Sequence, residues 1–109
     1  MINKKYTIEI IQGDTIEKNV VISGVDSADI EKVYFSSEKL QIEKELTYDS
    51  ENEKWVFKLD PSETKDLPIT TTDFDITIKF TNDDVMTCVY RGVIQVLPKI
   101  NKVGGLDEQ

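Results

Sequence analysis

The sequence predicts an all-β antiparallel sandwich of about seven strands, with one short helical crossover near residues 60–67. Apolar and polar residues alternate in strand-length segments, and turn-forming residues separate these segments at spacings of about 8–12 residues. The length of 109 residues fits a single compact domain. We therefore assign residues 1–98 to the sandwich and residues 99–109 to a flexible polar tail.

The clearest strand signal is a long hairpin in the C-terminal half. Every even position from Phe74 to Phe80 is apolar and every odd position is polar, which is typical of a strand with one buried face. Asn82–Asp84 forms a turn, and a return strand runs from Met86 to Leu97. Gly92 interrupts this return strand, which predicts a bulge or kink.

The earlier segments show weaker alternation. The segment 40–48 is interpreted as one strand, since Leu40, Ile42, Leu46 and Tyr48 share one face. The other predicted strands are 6–11, 16–22, 31–37 and 54–59. Aromatic residues in phase with the buried faces are predicted to form the core: Phe35, Trp55, Phe57, Phe74 and Phe80.

The predicted crossover carries a helix-start signal. Asp60 can cap the first turn, Pro61 suits the first helical position, and Glu63 stands where a capping box needs an acidic residue. Leu67 is predicted to pack against the core, and Pro68 ends the helix. The segment is predicted to connect the two sheets.

Composition excludes several function classes. The 13 basic and 21 acidic residues give a net charge of −8, and no basic run is present, so nucleic-acid binding is not predicted. The chain has no histidine, which excludes imidazole chemistry within it. Its one cysteine, Cys88, lies in a predicted strand and is interpreted as a small buried hydrophobe. The lack of disulfides is consistent with a reducing cytosol.

No membrane segment is predicted. Residues 6–10 alternate polar and apolar, so the N-terminal part lacks the continuous apolar stretch of a signal peptide. No apolar run approaches the roughly 20 residues that span a bilayer. We therefore expect the protein to be made and folded in the cytoplasm.

The pairs of acidic residues are interpreted as surface groups rather than as catalytic or calcium-binding sites. Asp73 and Asp75 lie opposite the apolar face of their strand, so a solvated face is favoured over a pair of acid/base carboxylates. No calcium-loop spacing is present, and ordinary turns are favoured over calcium sites at the two acidic loops. The residues concerned are Asp26 with Asp29 and Asp83 with Asp84.

No enzymatic constellation is found. Phosphate-binding glycine loops, a nucleophile elbow and paired cysteines are absent from the sequence. We predict a non-enzymatic protein with no catalytic, cofactor-binding or metal-binding residues and no cofactor. Because tyrosine is enriched at interfaces, Tyr34, Tyr48 and Tyr90 are the candidate protein-contact residues.

Five short pieces follow one another in a familiar order. They are a Gly13–Thr15 turn, a Val33–Phe35 strand, a Trp55–Leu67 strand and crossover, a Phe74–Ile78 strand and a closing Arg91–Pro98 strand. This order resembles the N-terminal immunoglobulin-like domain family of the phage and prophage baseplate upper protein. The resemblance covers roughly residues 6–98.

The resemblance implies an immunoglobulin-like sandwich that serves as a structural module of a phage or prophage tail or baseplate. Such a module acts by docking to other virion proteins, with homo-oligomerisation possible, and its expected location is the virion. The alternative is a cell-surface carbohydrate-binding or adhesion module, which would stack sugars on exposed aromatic rings.

Overall fold

A computed structural model of the chain describes residues 6–99, and it contains eight strands rather than about seven. The connections include a 3₁₀ turn at Ser27–Asp29 and a four-residue helix, α1, at Pro61–Thr64. The strands are β1 (Thr7–Ile11), β2 (Ile16–Val20), β3 (Ile30–Ser37), β4 (Ile42–Glu45), β5 (Thr47–Asp49), β6 (Lys54–Leu59), β7 (Thr71–Phe80) and β8 (Val85–Leu97).

The strands form two sheets. One has five strands in the order β1-β8-β7-β3-β4, and the other has three in the order β2-β6-β5. The predicted all-β, immunoglobulin-like sandwich is therefore confirmed. One pairing departs from the antiparallel prediction within residues 6–99, because β1 runs parallel to the second half of β8 from Thr7↔Val93 to Ile11↔Leu97.

A stack of three phenylalanine rings lies at the centre of the core. Phe35 is fully buried, and its ring centroid lies 4.1 Å from that of Phe57 in the other sheet and 4.9 Å from that of Phe74. Trp55 is also buried, whereas Phe80 is only partly buried at the end of β7. Four of the five predicted core aromatics are thus buried.

The predicted strand 40–48 is wrong as a single element. Leu40 lies in a turn, β4 ends at Glu45 in the five-stranded sheet, and β5 begins at Thr47 in the three-stranded sheet. The switch occurs at Leu46, whose side chain is buried and whose backbone N–H donates to the Val33 carbonyl at 2.8 Å. The alternation continues through the switch, so it could not reveal the change of sheet.

The predicted crossover is confirmed, with helix α1 occupying four residues of it. Pro61 is the first helical residue, and the Glu63 carboxylate accepts from the Asp60 backbone N–H at 2.8 Å. The same carboxylate also accepts from Lys44 Nζ at 2.8 Å, and this hydrogen bond lowers the pKa of Glu63. Leu67 is buried, so the crossover is fastened to the sandwich after α1 ends.

The side chain of Thr64 joins α1 to the Gly13–Thr15 turn. Its hydroxyl accepts from the Gly13 N–H at 3.0 Å and lies 2.8 Å from the Asp14 carbonyl, to which it donates. Gln12 adds a second link, because its side-chain amide donates to the Leu67 carbonyl at 2.7 Å. Two segments about fifty residues apart in sequence therefore form one hydrogen-bonded unit.

Thr64→Val is expected to lower the free energy of unfolding by about 1–3 kcal/mol. The valine fills the same volume but leaves the Gly13 N–H and the Asp14 carbonyl without these partners. Chemical denaturation of both variants measures the effect, with Thr64→Ser as the control that keeps the hydroxyl. Equal stability of the valine and serine variants would show that the hydroxyl bridge contributes nothing.

The predicted irregularity at Gly92 is confirmed. The β7–β8 register shifts between Phe74↔Gly92 and Ile76↔Val89, so β8 carries an extra residue there. Within this bulge Arg91 adopts a positive φ of 61°, and its N–H donates to the Asp75 carboxylate at 2.9 Å. A second register shift lies between Ile76 and Thr77.

The predicted tail lies almost entirely outside the described residues. Lys99 is described, and its Nζ lies 2.8 Å from the Asp14 carboxylate. Residues 100–109 fall outside the described range. Between residues 6 and 99, no helix combines the length and apolar content that crossing a membrane requires.

Candidate docking site

Sheet edges are the surfaces of a sandwich to which another chain can most readily pair. In the described structure, short length and charge protect most of them. Edge strand β4 has four residues, three of them charged, and edge strand β5 has three residues. Edge strand β2 carries Glu17 and Lys18 at its centre. These features discourage pairing with another strand.

The first half of β8 is longer and carries no charge, although a bulge at Cys88 interrupts it. This strand pairs with β7 over most of its length, but β1 pairs with its other side only from Val93 onwards. The segment Val85–Tyr90, hereafter the open edge, has no pairing partner among residues 6–99 on that side and contains no charged residue. Its composition of β-branched, aromatic and sulfur-containing residues also favours strand pairing.

Exposed apolar side chains are concentrated in the open edge. Val85 is 64% exposed, Met86 41% and Tyr90 73%. The other large apolar side chains exposed in residues 6–99 lie outside this segment: Tyr6, Ile11, Val21 and Ile69. Three such residues within six positions mark a surface suited to protein contact.

A cleft of about 630 Å³ lies beside the open edge. It separates this part of β8 from Val20 and the three residues that follow it, and its lining is mainly apolar. Met86 lies opposite the fully buried Ile78 and so belongs to the inward face, yet it remains exposed. The sandwich is therefore open at this end, and apolar side chains of the inner face are accessible from the cleft.

The three candidate tyrosines lie in different places. Tyr34 is half-buried on β3, between the buried Val33 and Phe35, so it belongs to the outer face of the five-stranded sheet. Tyr48 is half-buried on β5 of the other sheet, with its ring centroid 4.8 Å from that of Trp55. The structure therefore does not bring the three tyrosines together in one contact surface.

Tyr90 is the candidate tyrosine that lies in the open edge. Its neighbour Arg91 places its guanidinium carbon 5.7 Å from the ring centroid. The ring remains 73% exposed, so one face of this aromatic–cation pair is accessible to a partner. Of the three residues predicted for protein contact, Tyr90 therefore has the most suitable position.

Cys88 also belongs to the open edge. It is half-buried rather than fully buried, and it lines the cleft. Burial raises the pKa of its thiol, so the thiolate is disfavoured at neutral pH. The prediction of a small buried hydrophobe is thus only partly right, because one side of Cys88 faces accessible space.

The acidic pairs behave differently from one another. Asp73 is exposed, and Asp75 lies half-buried on the same outer face, where it accepts from the Arg91 N–H and so also holds the bulge. Asp26 accepts from the Ala28 N–H at the start of the 3₁₀ turn. In the range 6–99, no three acidic or cysteine side chains gather in a group that could hold a metal ion.

The remaining pKa shifts arise at the surface. The side-chain hydrogen bond from Asn52 is the main cause that lowers the pKa of Asp49. The carboxylate of Glu31, 3.5 Å away, is the main cause that raises the pKa of Lys79. These groups stabilise a turn and a strand surface, and none of them lines the cleft.

Comparisons with known proteins give no assignment. No protein-family model matches the sequence, and no curated protein is found to be similar to it. The resemblance to the baseplate domain family therefore rests on the five sequence pieces alone.

Sequence reasoning missed Val85 and Met86 as contact residues. The uncharged run alone does not distinguish this segment, because runs of six or more uncharged residues also occur at 19–25, 67–72 and 92–98. The decisive fact, however, is that β1 pairs with β8 only from Val93 onwards, and no local pattern in the sequence indicates where a parallel neighbour begins.

Proposed function

We propose that this chain is a structural or assembly module of a phage or prophage tail or baseplate, and that it acts by docking to other virion proteins. The site of docking is the open edge together with the adjoining cleft. This function requires no catalytic residue and no cofactor, since its mechanism is the pairing and burial of complementary surfaces.

One observation carries the proposal. Two of the pieces that resemble the baseplate family, the Gly13–Thr15 turn and the crossover, meet through the hydroxyl of Thr64. Residues that contact each other are expected to occur together in the members of a family. The Thr64 contact therefore gives a physical reason why these two pieces occur in the same chain. The all-β sandwich and the exposed apolar side chains of the open edge give further support.

The carbohydrate-binding alternative has less support. Trp55, the chain's single tryptophan, is only 8% exposed and packs against Tyr48, so it offers no broad face for stacking a sugar. Among residues 6–99, only two aromatic side chains are well exposed, Tyr6 and Tyr90, which leaves few rings for stacking a sugar.

The proposal is tested with particles from the strain that encodes the chain. Purified phage or induced prophage particles are analysed by mass spectrometry, and particles from a deletion strain are examined by electron microscopy. We expect the protein in intact particles and incomplete tails in the deletion strain. Its absence from particles, combined with normal tails after deletion, would refute the proposal.

A further inference from the structure

We propose that the cleft beside the open edge binds an anionic amphiphile, a carboxylate with a hydrocarbon chain as in a fatty acid, whose head group pairs with Lys18. The inference goes beyond the docking function, because it assigns a small molecule to the cleft in addition to a protein partner at the open edge. The cleft volume of about 630 Å³ falls within the range of roughly 300–1,000 Å³ that is typical of ligand sites.

The apolar lining of the cleft comes from both sheets. The five-stranded sheet contributes the buried side chain of Ile8 and the exposed side chain of Met86. The three-stranded sheet contributes the half-buried Val20 at the end of β2, which the exposed Val21 follows. A hydrocarbon chain in the cleft would cover accessible apolar surface on both sides, and the burial of that surface favours binding.

Lys18 contributes the charge of the lining, and the pairing of β2 with β6 sets its position. It stands directly opposite Phe57, which is fully buried between the sheets. Residues that stand opposite each other in an antiparallel pair lie on the same face of the sheet, so Lys18 belongs to the inner face of β2. It nevertheless remains exposed, because the sandwich is open at the cleft that this side chain lines.

The ammonium group of Lys18 has no carboxylate partner in the described part of the chain. The ion pairs of residues 6–99 involve other lysines, and within that range no other residue that lines the cleft is charged. A carboxylate at the mouth of the cleft would supply the partner while its hydrocarbon chain covers the apolar lining. A neutral apolar molecule would leave the ammonium group without a partner, and a cationic amphiphile would be repelled by it.

Titration of the whole chain with decanoate, kept below its micelle concentration, tests the inference. Two-dimensional NMR of the isotope-labelled protein measures the dissociation constant and identifies the residues whose signals move. We expect saturable binding, with the shifts centred on Ile8, Val20 and Met86. Octanoate is expected to bind about fifteenfold more weakly than decanoate, since each buried methylene group strengthens binding about fourfold.

Charge reversal at Lys18 tests the head-group contact. Lys18→Glu is expected to weaken decanoate binding about five- to tenfold, because an attraction becomes a repulsion, and to strengthen binding of decyltrimethylammonium, a cation with the same chain length. Lys58→Glu is the matched control, since Lys58 is exposed next to Phe57 on the neighbouring strand and lies on the outer face. It makes the same change in net charge and should alter neither affinity. Far-ultraviolet circular dichroism checks that both variants are folded.

Three results would overturn the inference. The first is a lack of saturable decanoate binding, which would leave Lys18 only the role of protecting the edge of β2 against strand pairing. The second is binding that Lys18→Glu and Lys58→Glu weaken equally. The third is a set of signal shifts on another surface of the sandwich. The particle experiment tests docking separately, so each of these results would remove the ligand and leave the proposed function standing.

Discussion

Phe35→Ala is expected to lower the free energy of unfolding by about 3–5 kcal/mol. Phe35 is fully buried at the centre of the ring stack and contacts aromatic rings from both sheets. Truncation removes both stacking contacts and leaves a cavity between the sheets, which the close-packed strands can only partly fill. Since domains of this size are stable by about 5–15 kcal/mol, the loss is a large fraction of the total.

Urea denaturation at equilibrium measures this effect, with the slope of the transition checked for constancy. Tyr34→Ala is the matched control, because Tyr34 is the preceding residue of the same strand and faces outward. The control is expected to cost about 1 kcal/mol. Phe35→Leu, expected to cost about 1–1.5 kcal/mol, keeps the test usable if the alanine variant does not fold. Equal losses for Phe35→Ala and Tyr34→Ala would contradict a core centred on this ring.

The elements that the sequence predicted well are those whose pattern is local. The β7–β8 hairpin was predictable because strict alternation, a polar turn and a return strand follow one another within residues 74–97. The crossover was predictable because Asp60, Pro61 and Glu63 act on the backbone within one helical turn. In both cases the residues that determine the structure are close in sequence.

The elements that the sequence predicted poorly depend on distant neighbours. The division of the segment 40–48 depends on pairing with distant strands, because β4 pairs with β3 and β5 pairs with β6. The role of Asp75 follows from the positive φ of Arg91, sixteen residues away. Neither feature changes the alternation of apolar and polar residues, so the alternation could not predict either of them.

The candidate site illustrates the same limit. Tyrosine enrichment at interfaces pointed to three residues, and Tyr90 alone among them lies in the open edge. The site itself is created by an absence of pairing among the described residues, because β1 covers β8 only from Val93 onwards. The point at which a parallel strand begins to pair with its neighbour depends on the connections and packing of the whole sandwich. No local sequence pattern therefore predicts it.

Gly92→Ala is expected to destabilise the protein by about 3 kcal/mol or more, from a change of one methyl group. A Cβ at this position would lie 2.5 Å from two ring atoms of Phe74, far inside van der Waals contact. The ring is buried in the core stack and stacks on Phe35, so it cannot move aside without disturbing that stack. Either the ring leaves its place or β8 separates from β7 at the bulge.

A double-mutant cycle identifies the cause of the effect. Phe74→Leu alone is expected to cost about 1–2 kcal/mol, but in the Gly92→Ala background the smaller side chain gives room to the new methyl group. The double variant should therefore be more stable than the sum of the two losses predicts. Gly24→Ala is the control, since Gly24 has a positive φ of 80° and open space around its Cβ position. Its cost should be only the backbone strain of about 1 kcal/mol. Additive losses in the cycle, or equal losses at Gly92 and Gly24, would show that contact with the Phe74 ring is not what requires glycine in β8.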